Sequence, residues 1–391
     1  MIDIGSAMES RKEFSISEFA DNISYVALET TDNSILGDHP DVVVWNDKII
    51  VSSLNQPLKV FDKKTGHFCN CIGHIGDDPE GLSSDGQGNI PFWIDNVNGT
   101  VYLRALGNLR LLRYRLDGTF LGSVMPVFNN LELKNLFFYF FHISNDIITA
   151  HNKTWNDKHP YVFSFNAING DILDTIPSIV QPFPLGGEIS YYNYGTSSYN
   201  NNGGGVYHFI FSNNRTARIV PNNPSVWEYN GQICLKESFI DTIYSIQGHS
   251  LSPRLIFDLG KWEWPYEKRF EKDESQGRIS ISYILENEHF FYFILHTGLY
   301  EKRKSYCGFF NKKDGTIKIK DGIEITDDIN NFLPVTIRKV SSDGEYIGLI
   351  QVYEIMEWNE KNKNKILNAK IQSLIKKDVE DNPIVILIKS I

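Results

Sequence analysis

Four cysteines in 391 residues are too few for a disulfide framework. Cys69 and Cys71 stand two apart on a predicted strand and face the same way, and no nearby Cys or His clearly completes a metal or redox site. They read as free thiols. No run of 18 apolar residues exists, which excludes a membrane-spanning helix. Positive charge is also scarce, with 38 Lys and Arg against 48 Asp and Glu, for a net charge of −10. The one basic cluster, Lys361–Lys377, is diluted by Glu357, Glu360 and Asp378, so no nucleic-acid partner is expected. Catalytic motifs are missing too: the ten histidines form no H-E-x-x-H pair, and no G-x-S-x-G elbow occurs. Asp85–Asn89 lacks the regular acidic ligands and closing Glu of a calcium loop. The opening MIDIGSAMES has neither a basic n-region nor an apolar h-region. That leaves two readings, a cytoplasmic protein or a mature segment with an added Met1.

Aromatic residues, by contrast, are plentiful: 13% of the chain, with 19 Tyr and 25 Phe. Such usage suits pleated, half-buried surfaces. One local pattern recurs, an apolar strand end, a polar turn closed by glycine, and a return strand. It reads Val60-Phe-Asp-Lys-Lys-Thr-Gly66-His-Phe68, then Tyr114-Arg-Leu-Asp-Gly118-Thr-Phe120, then Phe165-Asn-Ala-Ile-Asn-Gly170-Asp-Ile172, and again Phe310-Asn-Lys-Lys-Asp-Gly315-Thr-Ile317. Asp-Gly and Asn-Gly turns between alternating strands are a strong hairpin signal, because such turns need positive φ. Gly66, Gly118 and Gly170 recur at intervals of 52 residues. A steady period of that size predicts a β-propeller with one four-stranded blade per repeat.

Taken in order, residues 1–20 are polar and weakly patterned and read as a tail, and residues 21–391 as one propeller domain. Blade one is expected at Val42–Trp45, Ile49–Ser52, Leu58–Phe61 and Phe68–Gly73. Blade two follows at Phe92–Asp95, Val101–Arg104, Leu111–Arg115 and Phe120–Val124, and blade three at Phe138–Ile143, Ile147–His151, Tyr161–Phe165 and Ile172–Ile176. Ser190–Tyr194 and Tyr207–Ser212 read as the first strands of blade four, with Asp241–Ile246 and Arg254–Asp258 completing it. Val226–Leu235 then becomes an additional Asn-Gly hairpin. Residues 196–205, too polar to pack, are expected to be a dispensable surface loop. Blade five is read at Ile279–Leu285, Phe290–Leu295, Tyr306–Phe310 and Ile317–Ile319, and blade six opens at Val335–Val340 and Tyr346–Val352. Lys363–Asp378 follows helical spacing (Ile366, Leu367, Ile371, Leu374, Ile375), which predicts an amphipathic helix inserted in that blade. Blade six lacks one strand, whereas Ile23–Thr30 lacks a blade. Pairing that segment with Pro383–Ile388 completes an all-β, six-bladed propeller and removes the open edges that would invite aggregation.

Five stretches carry a family resemblance: Ile23–Thr31 (ISYVALETT), the hairpin ending at Ile72-Gly73, Phe239–Tyr244 (FIDTIY), Leu255–Gly260 (LIFDLG) and Asn382–Ile388 (NPIVILI). In order and spacing they resemble a functionally uncharacterised bacterial family of six-bladed β-propellers related to NHL-repeat proteins. Relatives carry a Gly-Pro-Gly-Glu element after the first blade. Here Gly76-Asp-Asp-Pro79-Glu80-Gly81 keeps the Pro and Glu and loses the Gly between them. The resemblance implies a cell-envelope, lipoprotein-like protein and thereby favours the mature-segment reading, in the periplasm or at the cell surface. It implies no particular chemistry.

Propeller geometry gathers the ends of successive second strands on one face, here Ser52, Arg104, His151, Ser212, His296 and Gln351. A polar ring of this kind fits a ligand site in a concavity, although strand ends are also polar simply because they meet water. Trp155, Trp262 and Trp264 fall in loops assigned to the same face, where aromatics offer flat contact area or fill gaps between blades. The expected ligand-contacting set is therefore Arg104, His151, Trp155, Trp262, Trp264 and His296. The reading that follows is a non-enzymatic binding or scaffold propeller taking a glycan, peptide or protein, with no cofactor. The alternative is a propeller lyase or hydrolase whose channel holds a divalent metal, assembled from different blades and so invisible to linear motifs.

Overall fold

A computed structural model describes residues 1–82, 89–105, 110–128, 138–152, 161–177, 179, 189–195, 206–214, 216–219, 225–237, 239–269, 273–300 and 302–391. Trp155, Asp85–Gly88 and the loop 196–205 lie outside the described residues.

Six antiparallel sheets form the ring of a six-bladed propeller. Blade one is Asp41–Trp45, Lys48–Ser52, Leu58–Asp62 and Phe68–Ile72; blade two is Phe92–Ile94, Val101–Arg104, Leu111–Tyr114 and Phe120–Val124. Blade three is Phe138–Ser144, Ile147–Asn152, Val162–Asn166 and Ile172–Ile176. Blade four is Ser225–Tyr229, Gln232–Lys236, Thr242–Gln247 and Ser250–Asp258; blade five is Ile279–Glu286, Phe290–Thr297, Lys304–Asn311 and Ile317–Asp321. Blade six takes Lys339–Val340, Tyr346–Ile350 and Ile384–Ser390 from the carboxy-terminal end, and Ala20–Ala27 as its outer strand. The closing register pairs Ile23 with Ile388 and Ala27 with Ile384, so the expected union of the two ends is present.

The blades hold together through six apolar interfaces rather than one central core. Successive strand residues point to opposite faces of a sheet, and each blade is covered on both faces. Ile50 accordingly packs towards Phe92, Val101 and Leu103 of blade two, whereas its neighbours Ile49 and Val51 pack towards Val26, Ile347 and Val385 of blade six. In the same way Tyr102 faces Ile143, Ile148 and Phe163 of blade three. This is why the second strands are apolar at consecutive positions.

Three of the four repeated glycine hairpins, those of Gly66, Gly118 and Gly170, press against the preceding blade, whereas that of Gly315 does not. Gly66 and Gly170 have φ of 76° and 81°. A Cβ on Gly66 would come within 2.1 Å of the Ala27 carbonyl oxygen, and one on Gly170 within 2.0 Å of the Met125 oxygen. Both contacted residues belong to the outer edge of the preceding blade. In three of the turns an acidic or amide residue at the opening position also has a local task. Asp62 accepts the Thr65 N–H at 2.8 Å, Asn166 the Ile168 N–H at 2.8 Å, and Asn311 the Lys313 N–H at 2.9 Å.

Three expectations change. Blade four begins at Ser225, not near Ser190: its first strand lies between those of blades three and five, and Asn230-Gly231 is its inner turn. Asn46, Asn145 and Asn230 open the inner turns of blades one, three and four with φ of 49°, 51° and 50°. Ile189–Gly195, Val206–Phe211 and Thr216–Ile219 instead make a separate three-stranded sheet, inserted in the sequence between blades three and four. In blade six the inserted segment carries two helices, α1 (Val352–Lys361) and α2 (Ala369–Ile375), in place of one over 363–378. Asn368 caps α2 by accepting the Ile371 N–H at 2.9 Å, burying Ile371 and Leu374 and leaving Ile366 outside the helix and 99% exposed. Finally, residues 1–20 are more than a tail. Ile2–Asp3 adds a parallel strand to the outer edge of blade four. A short helix, Ile4–Glu9, follows; Ile2, Ile4 and Met8 are buried against blades four and five, and Phe14, Ile16 and Phe19 between blades five and six.

Candidate functional site

The two faces of the disc differ. First and second strands are joined by short turns, as at Asn46-Asp47, Asn145-Asp146 and Asn230-Gly231. Second-to-third connections and links between blades are mostly longer, such as 259–278, 322–338 and 351–383. We call the second side the loop face. Every second strand ends there.

Those ends do different things. The Ser52 hydroxyl donates to the Ile90 carbonyl at 3.0 Å and accepts the Ile90 N–H at 3.1 Å, tying blade one to the link that follows it. Arg104 is half-buried at the end of its strand. Gln351 opens α1 and receives no ligand-facing role: its N–H donates to Glu354 Oε2 at 2.7 Å. Ser212 follows an accessory strand, Val206–Phe211, rather than a blade strand. With blade four in its true register, the corresponding end is Lys236-Glu237, which the sequence reading missed.

Blades three and four thereby bring together a buried polar group. His151 is 3% exposed and Glu237 1% exposed, with His151 Nε2 3.3 Å from Glu237 Oε1. The Tyr161 hydroxyl donates to Glu237 Oε1, and the Tyr161 ring meets the His151 ring edge-on at 4.7 Å. Neither imidazole nitrogen makes a hydrogen bond, and Glu237 Oε2 has no partner. Lys236 donates to the Glu237 backbone carbonyl; burial pulls its amine down to about 8, partly offset by Asp241 and Glu237. Burial also lifts the Asp241 carboxyl to about 6, against the opposing pull of Lys236.

An aromatic cluster adjoins this group. Trp264 packs edge-on to Phe239 at 5.3 Å and to Tyr300 at 5.6 Å, and its indole N–H donates to the Lys268 carbonyl at 3.2 Å. The buried Arg269 guanidinium lies 3.6 Å from the Tyr266 ring centroid and donates to the Tyr266 carbonyl at 2.6 Å. Burial lowers the Arg269 pKa, and the charges of Tyr266, Tyr300 and Glu237 oppose that shift. Arg269 is thus within electrostatic reach of Glu237.

His296 is buried on blade five, with Nδ1 3.0 Å from the Ser305 hydroxyl. Burial, and then the Arg303 charge, push its pKa from 6.5 down to about 3. The unfolded chain therefore binds a proton between those values and the folded one does not, so stability falls as pH drops below 6.5. Each pH unit in that window costs about 1.4 kcal/mol. We expect His296→Gln to flatten the acid limb of urea-unfolding stability between pH 6 and pH 4; an unchanged slope would contradict the buried neutral imidazole.

Trp262 is not brought to this group. Its ring packs with Ile2, Ile4, Met8 and Phe257, under Lys261 at 5.7 Å, where it supports the amino-terminal segment. Among the described residues, no group of three or more His, Cys, Asp and Glu side chains is placed to hold a metal ion, and no helix is long and apolar enough to cross a membrane.

A family model described as "Domain of unknown function (DUF4934)" matches residues 1–389. The chain belongs to the DUF4934 family. This DUF4934 chain is similar to a Bacteroides fragilis protein named as exported, at 15% identity and a TM-score of 0.65, over 97% of this chain and 98% of that one. It is also similar to a member of the DUF4221 family from Bacteroides vulgatus, at 12% identity and a TM-score of 0.52, over 95% and 98% of the two chains. At such identities the likeness concerns the fold alone. Comparison of the DUF4934 chain with the curated proteins finds no match.

Proposed function

We propose that this DUF4934 propeller is a non-enzymatic binding or scaffold protein of the bacterial cell envelope, presenting its loop face to a glycan, peptide or protein. One observation carries the reading. Buried polar groups are nearly always hydrogen-bonded, yet His151 and Glu237 keep unpaired atoms beneath that face, beside Trp264, Tyr266 and Tyr300. The exported character named for the Bacteroides fragilis relative supports an envelope location. The enzyme alternative would need a divalent metal or a cluster of perturbed ionisable groups in the channel; among the described residues no three-ligand metal cluster occurs, whereas Lys236 and Asp241 are perturbed.

A mixed array of glycans and peptides tests the proposal on the full chain. Binding by the wild type is expected, weakened by His151→Ala or Arg104→Ala and unaffected by Arg115→Ala on the turn side. Binding that ignores both loop-face variants, or none to any array member, would refute it.

A further inference from the structure

The unpaired atoms at the junction of blades three and four restrict what the site takes. Glu237 Oε2 accepts only, while a neutral imidazole offers one donor and one acceptor. His151 Nδ1 has no partner, its Nε2 has only the 3.3 Å contact with Glu237 Oε1, and that same oxygen is already committed to the Tyr161 hydroxyl. An anion would face the Glu237 carboxylate. A cation would enter where Lys236 and Arg269 already lie within reach of that charge. A metal ion would need a third ligand, and none of the described His, Cys, Asp or Glu side chains supplies it. A hydroxyl group meets the requirement, because it donates one hydrogen bond and accepts others. Two neighbouring hydroxyls serve both side chains together: one donates to Glu237 Oε2, the other exchanges a hydrogen bond with His151.

We infer that His151, Glu237 and Tyr161 form the floor of a site for a neutral, hydroxyl-rich ligand of the carbohydrate or polyol class. The inference rests on the loop-face binding proposed above and narrows its ligand. Both side chains are enclosed, so they grip the deepest hydroxyls of the ligand rather than its whole body. The neighbouring aromatic side chains Trp264, Phe239 and Tyr300 pack edge-on against one another. The site lies on two strand ends, at Ile147–Asn152 and Gln232–Lys236, which hold the two polar groups on adjacent blades.

The test is titration of the full chain with neutral monosaccharides and polyols, followed by calorimetry and by the ring-nitrogen resonances of His151. Saturable binding that shifts those resonances is expected, with affinity reduced about tenfold or more in Glu237→Gln, the usual effect of losing a charged hydrogen-bond acceptor. Tyr161→Phe provides a second variant that frees Glu237 Oε1 without altering charge. The wild-type resonances give an answer even if neither variant folds. No shift with any neutral sugar or polyol overturns the inference. If peptides bind the loop face and are indifferent to Glu237→Gln, the binding function stands while the carbohydrate assignment fails. If nothing binds, both fail.

Discussion

Asn382→Asp is expected to destabilise the propeller by roughly 3–5 kcal/mol, the range for an uncompensated buried charge. Asn382 is buried immediately before the closing strand, and its side chain is fully engaged. Its amide nitrogen donates to the Glu29 carbonyl at 2.7 Å and the Ser34 carbonyl at 2.9 Å, and its oxygen accepts the Leu36 N–H at 2.8 Å. Its backbone N–H donates to the Thr30 hydroxyl at 2.8 Å. These bonds fix the exit of the outer strand of blade six, where the two ends of the chain meet. Aspartate keeps the acceptor but turns an anionic oxygen towards two carbonyl oxygens. Asn382→Ala removes the clash but leaves those groups unpaired, and about 2–4 kcal/mol is expected. Urea unfolding at pH 7 orders the three proteins. An aspartate variant as stable as the wild type would show that the ends are held elsewhere.

Gly170→Ala and Gly66→Ala should each cost roughly 3 kcal/mol or more, against about 1–2 kcal/mol for Gly315→Ala. All three glycines occupy the same place in the repeated hairpin, with φ between 75° and 81°. The left-handed conformation alone costs an alanine about 1–2 kcal/mol. The difference comes from the surroundings. A methyl group on Gly66 or Gly170 meets a backbone oxygen of the preceding blade, and one on Gly315 meets nothing within 4 Å. Backbone cannot rotate away as a side chain can, so the blade interface must open. Equal losses at all three positions would mean that these hairpins are not wedged between blades.

Blade four and the amino terminus show where local reading stops. Ser190–Tyr194 and Tyr207–Ser212 are as rich in aromatic residues as true blade strands, yet they fall in an accessory sheet. The error moved the second-strand end from Lys236-Glu237 to Ser212, and so hid half of the buried polar group while His151, the other half, was legible. The Asn230-Gly231 turn, matching Asn145-Asp146 and sharing positive φ with Asn46, was the signal that would have restored the register. The first 20 residues misled for another reason. Their apolar side chains are too few to form a core alone, and Ile2, Met8 and Phe14 become buried only because blades four to six supply the opposite surface.

The blade repeat, the hairpin glycines and the joining of Ile23–Ala27 to Ile384–Ile388 are written in the sequence, because each depends on local φ requirements or on the cost of an open sheet edge. Tertiary structure alone decided which strand ends are neighbours. The proximity of His151 and Glu237, 86 residues apart in sequence, follows from the ring passing directly from blade three to blade four. So does the placing of Trp262 against the amino-terminal segment and of Trp264, two residues later, among Phe239 and Tyr300. Convergence depends on which blades adjoin and how each strand twists, and no linear spacing carries that information.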